Sequence, residues 1–337
     1  MRNFYYTLCL FFLIVIITPI NAQVKPDLLI SAGSALGGDD KGWKIAYDTD
    51  SNIYVTGDFV GTAYFENTPL LSKGSSDIFI AKYNSSGILQ WVRIAGGIGS
   101  DKANGIVING TEVYITGSFG GNAIFDTLSI TSVGADDVFI AKYNTNGDVQ
   151  WLRRAGGTNT DRANGIAIYG TDVFITGWYA GTAIFDATSI TSIGSGDVFL
   201  AKYNDNGVVQ WVRSAGGTNG DESKGVAVNS TGVYITGFFR YSATFDTTDI
   251  ISGNDADIFL AKYDTVGNFQ WARYAGGTNF DQVSSVAVHE SNVYITGAYS
   301  GTATFDTINI TSYGSNDIFL AKYDSGGNFH WVRSAGL

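Results

Sequence analysis

The chain repeats a block of four short apolar runs, each bounded by polar turn residues. In the third block these runs are residues 165–168, 173–176, 198–203 and 208–213. Runs of this length, rich in β-branched and aromatic side chains, predict β-strands. Residues 204–207 (Asn-Asp-Asn-Gly) predict a hairpin loop between the last two strands, with glycine where a positive φ is needed. The blocks therefore predict an all-β chain with four strands in each block.

The third strand of each block is apolar at consecutive positions, as in Val138-Phe139-Ile140-Ala141. A strand with one solvated face would alternate instead, so both faces of this strand must be covered. Small sheets stacked face to face around an axis satisfy that need, and they predict a β-propeller. A linear β-solenoid is the alternative, although its rungs repeat at a much shorter spacing.

The blocks recur every 60 residues, and five copies are present. The period is marked by one tryptophan of the fourth strand in each block, at Trp91, Trp151, Trp211, Trp271 and Trp331. The predicted architecture is a β-propeller of about five four-stranded blades, at approximately 36–95, 96–155, 156–215, 216–275 and 276–337. Residues 180–196, between the second and third strands, predict a small extra hairpin that lengthens the repeat.

The N-terminal segment predicts the location of the protein. Residues 1–22 contain Arg2, an apolar run too short to span a bilayer and Ala22 at the expected cleavage point, which is the pattern of a cleavable signal peptide. An uncleaved membrane anchor is the alternative. Cys9, the only cysteine, lies in this segment, so a mature chain of residues 23–337 would be thiol-free, with no transmembrane span. The predicted location is secreted or cell-surface.

One repeated string resembles a known family. After Y-[IV]-T-G comes D-[IV]-F-[IL]-A-K-Y-[ND]-x-x-G-x-x-[QH]-W-x-R-x-A-G, which is similar to the bacterial β-propeller repeat called SBBP. The resemblance covers residues 36–337 and implies a propeller in an exported or surface protein, without catalytic residues to carry over. Residues 28–33 also resemble a fourth strand. Either terminal strand could therefore complete a five-blade ring, or the chain could be part of a larger ring.

Composition and charge limit the partners. The 337 residues carry 20 basic and 31 acidic side chains, a formal charge of −11, and this acidic field repels phosphate backbones and anionic lipid. Nucleic acid is therefore not expected as a partner. The two histidines occupy slots that hold other polar residues in other blocks, so no histidine metal site is predicted. No cofactor is predicted.

Three sets of repeated or unusual residues are candidates for a site. The linker aspartates are candidate ligand contacts on one face, or else caps of glycine turns: Asp40, Asp101, Asp161, Asp221 and Asp281. Trp178 and Phe238 occupy a slot that varies between blocks, which predicts an exposed apolar patch or packing on a loop. One carboxylate slot could form a rim of calcium ligands, at Glu66, Asp126, Asp186, Asp246 and Asp306. The five repeated tryptophans are predicted to be structural.

These features favour binding over catalysis. Acid and base hydrolysis needs two carboxylates in unlike environments, whereas nearly identical blades provide nearly identical environments. The predicted function is an exported, non-enzymatic, multivalent binding or adhesion module for a glycan or protein at the cell surface. The alternatives are a structural spacer or coat component and, third, an enzyme resembling a five-bladed glycoside hydrolase.

Overall fold

The computed structural model describes residues 32–34 and 39–336. Every regular element in these ranges is a β-strand, which confirms the predicted all-β class. Among these residues, no helix has the length and apolar character needed to cross a membrane. The predicted signal peptide, residues 1–22, lies outside the described residues.

Each of the five repeat units, numbered 1 to 5, contributes strands one to four of an antiparallel sheet, with a small hairpin between strands two and three. Strand β1 (Ala32–Ser34) precedes unit 1. Unit 1 contains β2 (Lys41–Tyr47), β3 (Ile53–Phe59), β4 (Thr62–Phe65), β5 (Thr68–Leu71), β6 (Asp77–Tyr83) and β7 (Leu89–Gly97). Unit 2 contains β8 (Lys102–Asn109), β9 (Glu112–Phe125), β10 (Leu128–Asn144) and β11 (Val149–Gly157). Unit 3 contains β12 (Asp161–Tyr169), β13 (Asp172–Tyr179), β14 (Thr182–Phe185), β15 (Thr188–Thr191), β16 (Asp197–Tyr203) and β17 (Val209–Gly216).

Units 4 and 5 follow the same plan. Unit 4 contains β18 (Glu222–Asn229), β19 (Gly232–Phe245), β20 (Thr248–Tyr263) and β21 (Phe269–Gly277). Unit 5 contains β22 (Gln282–His289), β23 (Asn292–Tyr299), β24 (Thr302–Phe305), β25 (Ile308–Thr311), β26 (Asp317–Asp324) and β27 (Phe329–Ala335). In units 2 and 4, the small hairpin continues the long second and third strands, so both parts belong to one strand.

The small hairpin, here called the cross hairpin, pairs with the preceding unit. In unit 3 it adds to strand four of unit 2, where Ala155 lies opposite Phe185. Ala95 and Phe125 form the same pair between units 1 and 2. Residues 32–34 fill the corresponding place beside the cross hairpin of unit 1, where Ala32 lies opposite Phe65. They therefore stand where a fourth strand of a preceding unit would stand.

The hydrophobic core lies between successive sheets. Each unit turns one face, here called the leading face, toward the next unit, and the opposite, trailing face toward the preceding unit. In unit 2, Val138 and Ile140 point forward into the cluster shared with unit 3. Phe139 and Ala141 point back into the cluster shared with unit 1. The prediction that strand three is covered on both faces is confirmed for units 1 to 4. Equivalent clusters join unit 3 to unit 4 and unit 4 to unit 5.

The two outermost faces of this series are exposed. On the trailing face of unit 1, Ile45 is 55% exposed, whereas the equivalent Ile106 of unit 2 is 8% exposed. On the leading face of unit 5, Ile318 is 42% exposed, whereas the equivalent Ile258 is 1% exposed. The contact that would close a five-unit ring, unit 5 against unit 1, therefore does not cover these side chains.

The first strands of all five units meet around one cavity of about 170 Å³. Its lining includes one residue at the same register position of each first strand: Lys44, Gly105, Gly165, Gly225 and Ser285. A Cβ on Gly165 would lie 3.2 Å from the Cα of Gly225, so glycine permits the close approach of these backbones.

Candidate interaction surface

The linker aspartates cap glycine turns inside the fold. In unit 3, the Asp161 carboxylate accepts a 2.7 Å hydrogen bond from the backbone N–H of Gly157 and a 3.2 Å bond from that of Ala180. Asp101, Asp221 and Asp281 accept the equivalent pairs of bonds, and all four side chains are buried. Asp40 accepts a bond from the N–H of Val60. The observed geometry of these residues is therefore that of caps on glycine turns, which was the alternative to a role as ligand contacts.

A second aspartate of each repeat lies beside the cap. At Gly156, an added Cβ would lie 2.7 Å from Asp137 and 2.8 Å from Asp161, so both carboxylates border this glycine. Burial, reinforced by the charge of Asp137, raises the pKa of Asp161 to about 7. Burial likewise raises the pKa of Asp101 to about 6. In unit 2, Arg154 pairs with Asp137 at 2.7 Å and offsets part of this effect.

The carboxylate slot considered for calcium lies at the tips of the cross hairpins. All five residues there have a positive φ, between 51° and 55°: Glu66, Asp126, Asp186, Asp246 and Asp306. Aspartate tolerates this left-handed conformation better than most residues, which gives the slot a backbone explanation. Asp186 also accepts a 3.0 Å bond from the N–H of Val209. Within residues 32–34 and 39–336, no three His, Cys, Asp or Glu side chains are grouped to hold a metal.

The repeated tryptophans and their basic neighbours join consecutive units. The indole Nε1 of Trp151 donates to the carbonyl oxygen of Asp205 at 2.9 Å, and Nε of Arg153 donates to that of Gly207 at 3.0 Å. Lys142 Nζ lies 2.7 Å from Asp205 Oδ1. All three donors belong to unit 2, and the two residues that accept, Asp205 and Gly207, lie in the hairpin loop before strand four of unit 3. We call this trio of donors the clamp. It supports the structural role predicted for the tryptophans.

The two aromatic residues predicted to form a patch pack against different neighbours. The indole of Trp178 packs on Gly196, where an added Cβ would lie 2.0 Å from Nε1, so Trp178 is packed on a loop of its own unit. Phe238 instead faces Phe280, with ring centroids 5.8 Å apart. Both phenylalanines are half-buried.

Two cations complete the surface around Phe238. The Lys224 ammonium lies 5.4 Å from the centre of the Phe238 ring, and the Arg240 guanidinium lies 5.5 Å from that of Phe280. These distances suit cation–π attraction. Arg240 also pairs with Asp255 at 2.9 Å, and Lys224 with a neighbouring glutamate. We call Lys224, Phe238, Arg240 and Phe280 the unit 4 patch.

The patch departs from the repeat at unit 4 and at the linker that follows it. Arg240 replaces Val60, Gly120, Ala180 and Ser300 of the other units. Phe280 replaces Ser100, Thr160 and Gly220. The varying slot of Phe238 pointed to this surface from the sequence, but Lys224, Arg240 and Phe280 were missed. The same signal, a departure from the repeated residue, could have identified them.

The chain is similar to two curated proteins, and no family model matches it. It is 27% identical to an uncharacterized WD repeat-containing protein of Acanthamoeba polyphaga mimivirus, over 86% of this chain and 27% of that protein. It is 26% identical to the regulatory protein FlaEY of Caulobacter vibrioides, over 55% of this chain and 21% of that protein. The chain thus spans about a quarter of the length of these relatives.

A chain of the crystal structure of the mitotic checkpoint complex matches over 86% of this chain and 96% of its own length. The sequence identity is 9% and the TM-score is 0.31.

Proposed function

We propose that this chain is an exported, non-enzymatic interaction scaffold with propeller-like architecture, which binds a partner through the unit 4 patch. The observation that carries the proposal is the patch itself. Four residues that depart from the repeat converge on one surface, while the framework beneath them is the same in every unit. Aromatic and arginine side chains with partial exposure are typical of the residues that dominate binding energy at protein interfaces.

The repeated charged residues support binding rather than catalysis. The linker aspartates use both oxygens on backbone N–H groups, as Asp161 does with Gly157 and Ala180. The basic residues of the clamp hold the next unit. Because each set has a structural use that recurs from unit to unit, neither provides the two unlike carboxylates that acid and base hydrolysis requires.

Different observations support the proposed architecture and the proposed export. Five stacked four-stranded sheets whose first strands share one cavity are compatible with a propeller, in which the first strand of each blade lies innermost. Similarity to a protein whose name includes WD repeats supports a scaffold of repeated sheets. The short apolar segment near the N-terminus supports export, and a surface or adhesion role is part of the proposal.

The patch chemistry defines the partner. An apolar side chain can pack on the Phe238 and Phe280 rings while a carboxylate reaches Arg240, at the cost of competing with Asp255. We therefore expect a protein segment that places an acidic residue next to an aromatic or aliphatic one. A glycan, which could stack on the same rings, is the other ligand class to screen.

The test is selection from a displayed peptide library on the full chain, with a glycan array screened in parallel. We expect selected ligands to lose at least about tenfold in affinity on Phe238→Ala, which corresponds to about 1.4 kcal/mol. Arg240→Glu should give a similar loss without truncating a half-buried ring. Tyr313→Ala, at a 75% exposed position of unit 5, is the matched control and should not change binding.

Two results would count against the proposal. Ligands that bind Phe238→Ala and Arg240→Glu as tightly as the unchanged chain would place recognition elsewhere. Failure of both screens to yield any ligand would favour the spacer or coat component.

A further inference from the structure

The clamp recurs at three interfaces and defines how units dock. Between units 1 and 2, Trp91 Nε1 and Lys82 Nζ donate to the carbonyl oxygen of Thr145 at 3.0 and 3.2 Å. Between units 4 and 5, Trp271 and Lys262 donate to that of Ser325 at 3.3 and 2.7 Å. The arginine two residues after each tryptophan donates to the glycine that ends the same loop. Each leading face thus carries the donors, and the unit that follows it provides a loop of acceptors.

Unit 5 carries the same donors with no following unit in the described residues. Lys322, Trp331 and Arg333 occupy the clamp positions. The only hydrogen bond of the Arg333 guanidinium among the described residues goes to the carbonyl oxygen of its neighbour Val332. The apolar side chains beside the clamp, Ile318 and Leu320, are exposed and half-buried, although their equivalents in units 1 to 4 are buried.

Unit 1 carries the matching acceptors with no preceding unit in the described residues. Its loop, residues 84–87, has the conformation of the loops that accept clamps. Gly87 has a φ of 74°, compared with 85° at Gly147 and 72° at Gly207. Asn84 accepts bonds from the N–H groups two and four residues later, as Asn144 and Asn204 do. The loop is therefore preformed for a clamp.

We propose that the leading face of unit 5 binds the trailing face of unit 1 in a second copy of this chain, so that copies associate head to tail. The basis is continuity with the internal interfaces, which join the same positions with the same apolar clusters and hydrogen bonds. Such a contact uses two different surfaces, so it leaves one free face at each end of every complex and allows longer assemblies.

Residues 32–34 control access to this interface. Ala335 of unit 5 is the equivalent of Ala95, which pairs with Phe125 of the next cross hairpin. In a head-to-tail complex, Ala335 would thus pair with Phe65 of the second copy. Ala32 already holds that place, in the same register. The incoming strand four must therefore displace residues 32–34.

The test is complementation between two variants, each with one face blocked. Ile318→Arg places a charge on the leading face of unit 5, and Ile45→Arg places one on the trailing face of unit 1. Both side chains are exposed, so the substitutions should not prevent folding. Light scattering after gel filtration should show that each variant alone is monomeric, that an equimolar mixture forms a 1:1 dimer and nothing larger, and that the unchanged chain forms dimers and larger species.

Two further variants test the interface, one as a control and one that alters residues 32–34. Ile193→Arg, at a 68% exposed position of unit 3, should associate like the unchanged chain. Prolines at both positions 32 and 33 should weaken the pairing of residues 32–34 with the cross hairpin of unit 1, because alternate residues of an antiparallel strand donate to the ladder and proline cannot. The incoming strand four should then displace these residues more easily, and association should strengthen at least about tenfold.

Three outcomes would overturn the inference. Dimers of either single-face variant alone would show a different interface. A monomeric unchanged chain and a monomeric mixture would indicate that the two faces close on each other within one chain or stay free. Unchanged association of the proline variant would exclude displacement of residues 32–34.

Discussion

The indole N–H of Trp151 is bonded at 2.9 Å to the carbonyl oxygen of Asp205, which belongs to the following unit. The ring of Trp151 meanwhile lies edge-on to Tyr114 of its own unit, with centroids 6.1 Å apart. One side chain thus packs within its sheet and hydrogen-bonds to the next sheet. The 60-residue spacing of the tryptophans therefore records a connection between units as well as a core position.

Removing this single donor should weaken the junction of units 2 and 3. Trp151→Phe keeps an aromatic ring but leaves the Asp205 carbonyl without that bond, so we expect the free energy of unfolding to fall by about 1 kcal/mol beyond the effect of the smaller ring. Urea denaturation measures the change.

The chain provides its own control for this substitution. Trp211 occupies the same position in unit 3, but its buried Nε1 has no hydrogen-bond partner. Trp211→Phe should therefore cost less than Trp151→Phe, because no bond is lost. Equal losses would mean that ring packing alone accounts for the repeated tryptophan.

The sequence predicted the sheets better than their connections. Consecutive apolar residues such as Val138 and Phe139 indicate that both faces of a strand are covered, and the structure places them in different interfaces. The pairing of Phe185 with Ala155 of the preceding unit could not be predicted, because a short amphipathic hairpin carries no signal for which sheet edge it joins. Exposure of Ile318 was also not predictable, since its residue type and register match those of buried equivalents.

The candidate site was also predicted only in part from the sequence. A carboxylate repeated at Asp126 and its equivalents suggested charge chemistry, whereas the structure gives the slot a positive φ of 54° at Asp126. Sequence alone does not separate an acid kept for its charge from one that tolerates this backbone conformation. Phe238 was identified because it breaks the repeat, but its contact with Phe280, 42 residues away in the chain, required the fold.

A second prediction concerns the loops that accept the clamp. Gly207 has a φ of 72°, and an added Cβ would lie 3.0 Å from the Trp151 ring. Gly207→Ala should therefore combine backbone strain of about 1–2 kcal/mol with displacement of the indole. Gly170 has a φ of 63° and open space where its Cβ would lie, so Gly170→Ala should show the strain alone. Thermal unfolding of both variants measures the difference, and a Gly207→Ala variant as stable as Gly170→Ala would contradict the tight fit of loop and ring.

The third prediction is a stability that increases on mild acidification. Burial raises the pKa of Asp161 and Asp221 to about 7, and that of Asp101 to about 6, from an unfolded value of about 3.9. At pH values between the unfolded pKa and the folded pKa of these aspartates, the folded chain binds more protons than the unfolded chain. The free energy of unfolding therefore falls as pH rises from about 4 to about 7, and it levels off above that range. Carboxylates whose pKa is lowered, such as Asp264, affect stability only at lower pH.

The melting temperature should accordingly be higher at pH 5.5 than at pH 8. The double variant Asp161→Asn, Asp221→Asn removes two of the raised groups and should show a weaker dependence on pH. Asp126→Asn changes an exposed aspartate at a position whose backbone asparagine also tolerates, so this control should keep the dependence of the unchanged chain. A melting temperature that rises from pH 5.5 to pH 8 would show that the buried caps are ionised in the folded protein, and that their bonds to backbone N–H groups outweigh the cost of burying the charge.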